Sequence, residues 1–232
     1  ITTDKAGLWT DSRYFLQAEQ QLEGSGIDLY KEMLPETPSI LDFLRENLTA
    51  NSVVGIDGKV FSTTQAIALQ EDLAKNDITI KSIADPMNEI WIDRPPMPEA
   101  PAFIHEMKYA GKSCPDKLAD IRREMKKSEA DVLLVSALDE IAWALNIRGN
   151  DVHCNPVVVS YLIINEQETH FFIQPEKVTE ELSAYLEEAG VTIHAYEDTE
   201  SFVTNTGRQH HARHGKDELC RLFCPPPFLP GT

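Results

Sequence analysis

Short apolar runs alternate with amphipathic, helix-length stretches from Leu8 almost to the end of the chain, and a capping or glycine residue stands at most of the switches. Leu8 to Thr10 reads as a strand, Ser12 caps a helix to about Leu22, and Gly24 and Gly26 end it. Ile27 to Met33 reads as a strand, and Ser39 caps a helix from about Ile40 to Leu48 with apolar residues at helical spacing. Val53 to Asp57 is a strand, Thr64 to Lys75 a helix and Ile78 to Ile83 a strand. Such alternation commits a chain to an α/β architecture, because each strand face must be covered by the helix that follows it.

Pro95, Pro96, Pro98 and Pro101 then remove backbone donors that a ladder or a helix would need, so residues 95–111 read as an extended linker between 1–94 and a second domain, 112–204. Ser113 opens a helix to about Lys127 with Pro115 in its first turn. Val132 to Val135 is a strand and Asp139 to Ile147 a helix, stopped by Gly149, with Ile141, Trp143 and Leu145 as core. Val157 to Ile164 and His170 to Ile173 form a hairpin about Asn165-Glu166, and Thr179 to Ala189 is a helix before strand Val191 to Tyr196. The order strand, turn, strand, helix, strand, helix occurs from Ile1 to Leu48 and again from about Ile163 to Val203, a repeat of element order with the first copy short of its opening half.

Past Thr204 the apolar period is lost, and residues 205–232 read as an aberrant tail; a one-base frame shift back-translates to a sequence with α/β patterning. His210, His211, His214, Cys220 and Cys224 offer zinc-type ligands there, but Cys-x3-Cys followed by Pro225-Pro226-Pro227 matches no finger spacing.

A net charge of −17 is opposite to what a phosphate backbone or an anionic lipid surface attracts, so neither nucleic acid nor membrane is an expected partner. No apolar run approaches the roughly 20 residues of a membrane helix. Four unevenly spaced cysteines make no disulfide framework and point to a reducing compartment. The chain opens on Ile1 without an initiator Met or a signal peptide, as expected of a sequence that starts inside its gene.

Chemistry-bearing motifs are few. His105-Glu106-Met107-Lys108-Tyr109 begins like a zincin helix, but Tyr109 stands where the second imidazole belongs. Asp139 and Glu140 suit the positive end of a helix dipole better than a catalytic pair. Asp151, His153 and Cys154 lie in one loop, where a turn with an Asx bond is expected rather than a metal. Arg13 lies beside Asp11 at a strand-to-helix corner, the position at which α/β folds hold ligands. On the residues alone an Asp11–Arg13 surface pair is the expected reading.

Leu8-Trp9-Thr10-Asp11-Ser12-Arg13-Tyr14-Phe15, Trp91-Ile92-Asp93-Arg94-Pro95, Ser136 to Gly149, and Asn150-Asp151-Val152 through Asn155-Pro156-Val157 to Ser160-Tyr161 resemble, in order and spacing, the Xaa-Pro aminopeptidase (aminopeptidase P) family. The resemblance covers about Ile1 to Phe202. It implies two creatinase-type N-terminal domains (ribonuclease H-like), each a mixed sheet flanked by helices, the first incomplete. It also implies a cytoplasmic homodimeric parent that removes the first residue from peptides with proline second. The parent's catalytic pita-bread domain, with two divalent ions (manganese) on Asp, His and Glu, has no counterpart here. No catalytic residue, metal ligand or cofactor is therefore carried over to this chain. One role is: the family's Trp-Thr-Asp-x-Arg-Tyr arginine contacts the substrate peptide and corresponds to Arg13. Creatinase resembles this chain less, having one such domain. The alternative is a non-catalytic peptide-binding module with an aminopeptidase-like fold.

Overall fold

The computed structural model describes residues 1–214. These divide into two compact units, Ile1–Arg94 and the chain from Pro95 onward.

In the first unit, β1 (Ala6–Thr10), α1 (Phe15–Leu22), β2 (Ile27–Lys31), α2 (Ile40–Asn47), β3 (Val53–Asp57), α3 (Thr63–Ala74), β4 (Thr79–Ile83) and α4 (Met87–Ile90) follow one another. β1 pairs with β2 and β3 with β4, both parallel, as two separate two-stranded ladders. Each parallel pair needs a crossover, which α1 and α3 supply. The expected mixed sheet is thus absent from the described part of this unit, because none of its ladders is antiparallel.

Residues 1–3, expected as strand, are irregular; Thr2 instead closes a turn with Lys5, N to O 2.8 Å. α1 also starts later than a Ser12 cap would allow. The Arg13 amide bonds to the Asp11 carboxylate and the Tyr14 amide to the Asp11 carbonyl (3.1 Å), a turn that delays the helix to Phe15. Ser39 does cap α2, its Oγ accepting from the Asp42 amide at 3.1 Å.

The core of this unit gathers Phe43, Leu44, Leu73 and Ile78, with Trp9 and Tyr30 against them. The Trp9 and Tyr30 rings stack at 4.2 Å and Phe43 meets both edge-on. Trp9 Nε1 donates to the Pro38 carbonyl at 2.8 Å. Gly7 makes this stack possible, because a Cβ there would lie 2.6 Å from the Tyr30 ring.

The second unit carries β5 (Phe103–Ile104), α5 (Met107–Ala110), α6 (Cys114–Lys127), β6 (Val132–Val135), α7 (Leu138–Leu145), β7 (Ile147–Arg148), β8 (Ser160–Asn165), β9 (Thr169–Ile173), α8 (Glu180–Glu188), β10 (Val191–Ala195) and α9 (Thr199–His214). Its mixed sheet runs β10-β9-β8-β6, with β10 and β9 parallel and the other pairs antiparallel. Of residues 95–111, the stretch 95–101 is irregular, whereas β5 pairs with β7 and Ala102 is buried.

One face of the sheet packs on α6, α7 and α8 through Leu118, Ile141, Leu145, Leu162, Phe171 and Leu186 among others. The other face, with Val132, Ile163 and Phe172, is covered by Phe202 and Val203 of α9. Ser113 and Thr179 cap α6 and α8 through their hydroxyls. At the β8–β9 turn, Asn165 Oδ1 accepts from the Gln167 and Glu168 amides.

The repeated order is visible as β1-α1-β2-α2 and β9-α8-β10-α9, both built on a parallel pair. The second copy's β8 has no counterpart among the described residues before β1. Helix α9 continues past Thr204 to His214. Cys220, Cys224 and the rest of the aberrant tail from residue 215 lie outside the described residues.

Candidate functional site

Arg13 stands where β1 hands over to α1, the corner its sequence position implies. Its side chain is 77% exposed and its guanidinium is forked onto Asp11, Nε to Oδ1 at 2.9 Å and Nη2 to Oδ2 at 2.8 Å. The same Oδ1 accepts from the Arg13 amide at 3.0 Å. These bonds hold the Asp11 carboxyl down at about 2, so the pair is ionic across the biochemical range and is lost only as pH falls from the ordinary 3.8 through that value. The Tyr14 ring lies 5.6 Å from the guanidinium carbon. Only Nη1 has no hydrogen-bond partner among the described residues. A peptide carbonyl or carboxylate could therefore meet Arg13 at Nη1, or take the fork by displacing Asp11.

A second polar constellation lies in the other unit, and composition did not announce it. Lys117 falls on the apolar stripe of α6, with Cys114, Leu118, Ile121 and Met125, and is 2% exposed. Its Nζ donates to the Trp143 carbonyl at 2.8 Å and to Asn146 Oδ1 at 2.6 Å, 4.6 Å from the Trp143 ring. Burial first, then the charge of Arg148, lowers the Lys117 pKa. Asn146 ends α7 in the left-handed conformation (φ 53°) and donates Nδ2 to the Lys112 carbonyl. In the sequence Lys117 stands between Asp116 and Leu118, with Asp120 one turn on, and carries no local sign of burial. Trp143, expected as core, is half-exposed, because the ring lies over Lys117 rather than among the aliphatic residues.

Asp151 is not the Asx-turn residue its loop suggested. Its side chain and that of Lys177 are fully buried as an ion pair at 2.5 Å, and Oδ2 also accepts from the Val159 amide at 2.6 Å. Asp151 Oδ1 is buried without a hydrogen-bond partner among the described residues. His153 and Cys154 are exposed in the same loop and do not join Asp151. Gly149 lets this loop close, since a Cβ there would sit 2.5 Å from Val158 Cγ2.

Asp139 and Glu140 are exposed in the first turn of α7, as the dipole argument requires. His105 and Tyr109 stack at 5.8 Å across the short α5. Cys114 is 1% exposed and burial pushes its thiol up to about 11. Among the described residues no three His, Cys, Asp or Glu side chains are grouped so as to hold a metal ion. The two-ion centre that the resemblance places in the parent's catalytic domain does not fit the described residues, and no chemistry here runs through it. No helix among the described residues is long and apolar enough to cross a membrane.

Comparison with known proteins agrees with this geometry. Models of the creatinase/prolidase N-terminal domain match residues 1–90 and again residues 93–219. The chain is 37% identical to Xaa-Pro aminopeptidase 1 of Dictyostelium discoideum over 90% of its length, covering 34% of that relative. It is 38% identical to aminopeptidase P2 of Arabidopsis thaliana over 85% of its length, covering 28%. The crystal structure of X-prolyl aminopeptidase from Caenorhabditis elegans, described as a cytosolic enzyme with a di-nuclear active site, superposes with a TM-score of 0.86 at 31% identity, over 92% of this chain and 35% of that one. The chain thus spans about a third of the length of the relatives it matches. Two matched segments, each an α/β unit of its own, establish that the chain belongs to the creatinase/prolidase N-terminal domain family.

Proposed function

We propose that the chain is the two-domain, non-catalytic N-terminal part of a proline-specific metalloaminopeptidase, which removes the first residue from Xaa-Pro peptides. In the whole enzyme these domains border the substrate cleft and contribute to homodimerisation in the cytoplasm. The two divalent ions, manganese in this reading, belong to a catalytic domain beyond this chain. The observation that carries the reading is the 0.86 TM-score over 92% of the chain against a solved enzyme of this activity. Purified chain should release no N-terminal residue from an Xaa-Pro-Pro peptide with or without manganese. Metal-dependent release by this chain alone would overturn the assignment.

Within that reading Arg13 is the substrate-peptide contact. Its exposure and open Nη1 support the role, and its fork on Asp11 holds the guanidinium in place until a peptide arrives. Replacing the matching arginine by Ala in a full-length relative should lower kcat/KM roughly ten- to hundred-fold, the range of a charge-assisted contact. Metal content and melting temperature should not change, since an exposed side chain leaves no cavity. Lys should restore only part of the loss, because an ammonium cannot reproduce a two-pronged contact. Unchanged kinetics with lowered stability would make Arg13 a structural partner of Asp11 and nothing more.

A further inference from the structure

His170 in β9 and His194 in β10 face each other across the parallel ladder. The register pairs His170 with Thr192 and Phe172 with His194, so the two imidazoles are diagonal neighbours. Nδ1 of His170 lies 3.0 Å from Nε2 of His194. His170 is 8% exposed and His194 is partly buried. Phe172 stacks on His194 at 4.8 Å and 18°. Phe202 of α9 rests on all three rings, 4.6 Å from His170, 5.2 Å from Phe172 and 5.5 Å from His194. With Val203 it is what α9 contributes to the packed cluster on this face of the sheet. The seat of the helix is therefore partly made of two titratable rings.

The charges around the pair are distributed unequally. Beside β9, Glu168 Oε2 lies 3.4 Å from His170 Nε2. Asp198, just before α9, favours charge on His194, while burial and the neighbouring His170 oppose it more strongly. Glu200 lies in the first turn of α9. Tyr161 of β8 stacks on Tyr196, whose hydroxyl burial pushes up to about 12, so it stays neutral throughout.

Counting protons shows what this arrangement does. A neutral pair shares one N–H···N bond. A first added proton keeps the bond, since His170 can then donate to His194 Nε2 and toward Glu168 at once. A second proton sets N–H against N–H and two positive charges within a few ångströms under an aromatic ring. We propose that His170 and His194 form a proton-operated latch beneath α9, which seats the helix at neutral pH and lets it lift when both imidazoles are charged. His194 titrates below its ordinary 6.5 while the helix is seated. On acidification the open form takes up its proton first, so the latch holds above about 6.5 and weakens as pH falls below that value.

The test is amide hydrogen exchange of the whole chain at pH 7.5 and 5.0, with rates corrected for the intrinsic effect of pH. Protection over residues 199–206 should be lower at pH 5.0 than at pH 7.5, while that of β8 and α6 is kept. His194→Gln, which retains a donor and an acceptor, should make the 199–206 protection independent of pH. His170→Gln gives the same readout should the first variant not fold, and proton titration of the rings by NMR should show two coupled steps in the parent chain. Equal protection of α9 at both pH values, or the same loss in a folded Gln variant, would overturn the latch.

Discussion

Replacing Lys177 with Met should cost about 3–5 kcal/mol of stability, the range found when one half of a buried ion pair is removed. Both side chains are wholly buried, and among the described residues the Asp151 carboxylate has no other ion-pair partner. Its Oδ2 would keep only the Val159 amide, and Oδ1 already has no hydrogen-bond partner among the described residues. The loop that Asp151 anchors and the turn that Lys177 ends would part, and with them the bond from the Ala102 amide to the Lys177 carbonyl (3.0 Å). For a unit of this size the melting temperature should fall by roughly 10–20 °C. The double variant Asp151→Asn, Lys177→Met should recover much of the loss, because no buried charge is then left unpaired. Urea denaturation of the four corners of this cycle checks it; a single Lys177→Met cost below about 0.5 kcal/mol would show that the pair holds nothing.

Lys117→Ala should cost about 3 kcal/mol, from an acceptor or two stranded by the lost Nζ together with the space left by the stem. The stranded groups are the Trp143 carbonyl and Asn146 Oδ1. Asn146 then has less to hold it in a left-handed cap, which only asparagine and glycine adopt readily. Met at the same position fills the space but donates nothing, so it should restore about half. The fluorescence of Trp143 should change in both variants, because a cation at 4.6 Å leaves its ring. Denaturation curves that superpose on those of the parent chain would remove Lys117 from the architecture.

How much of this was legible before the coordinates depends on the reach of each signal. Ser39 and Ser113 announce their helices because a cap is settled within four residues, and both hydroxyls do what that spacing implies. The family resemblance was equally local, carried by four short blocks. The Asp11–Arg13 fork was foreseeable at a separation of two residues. Ser12 misled because the Asp11 carboxylate takes the Arg13 amide and the Asp11 carbonyl the Tyr14 amide, a turn that moves the helix start to Phe15. Lys117 meets its acceptors 26 and 29 residues away, and Asp151 meets Lys177 26 residues away, so neither burial could be read from its own neighbourhood. The β5–β7 ribbon escaped because two-residue strands carry no period and Phe103 follows a proline run. The His170–His194 contact needs the parallel register of β9 and β10, which only the assembled sheet supplies.

The two described thiols differ in a way that offers an internal clock. Cys154 is exposed, whereas Cys114 is buried at the start of α6 with its thiol near 11 against an ordinary 9.0. At neutral pH the thiolate fraction of Cys114 is suppressed by about two orders of magnitude, and the reagent cannot reach the sulfur in any case. An alkylating agent should therefore mark Cys154 at once and Cys114 only in molecules whose α6 has come away. The slow labelling phase becomes a direct count of opening events in the native population, taken without denaturant and at any pH where the reagent works.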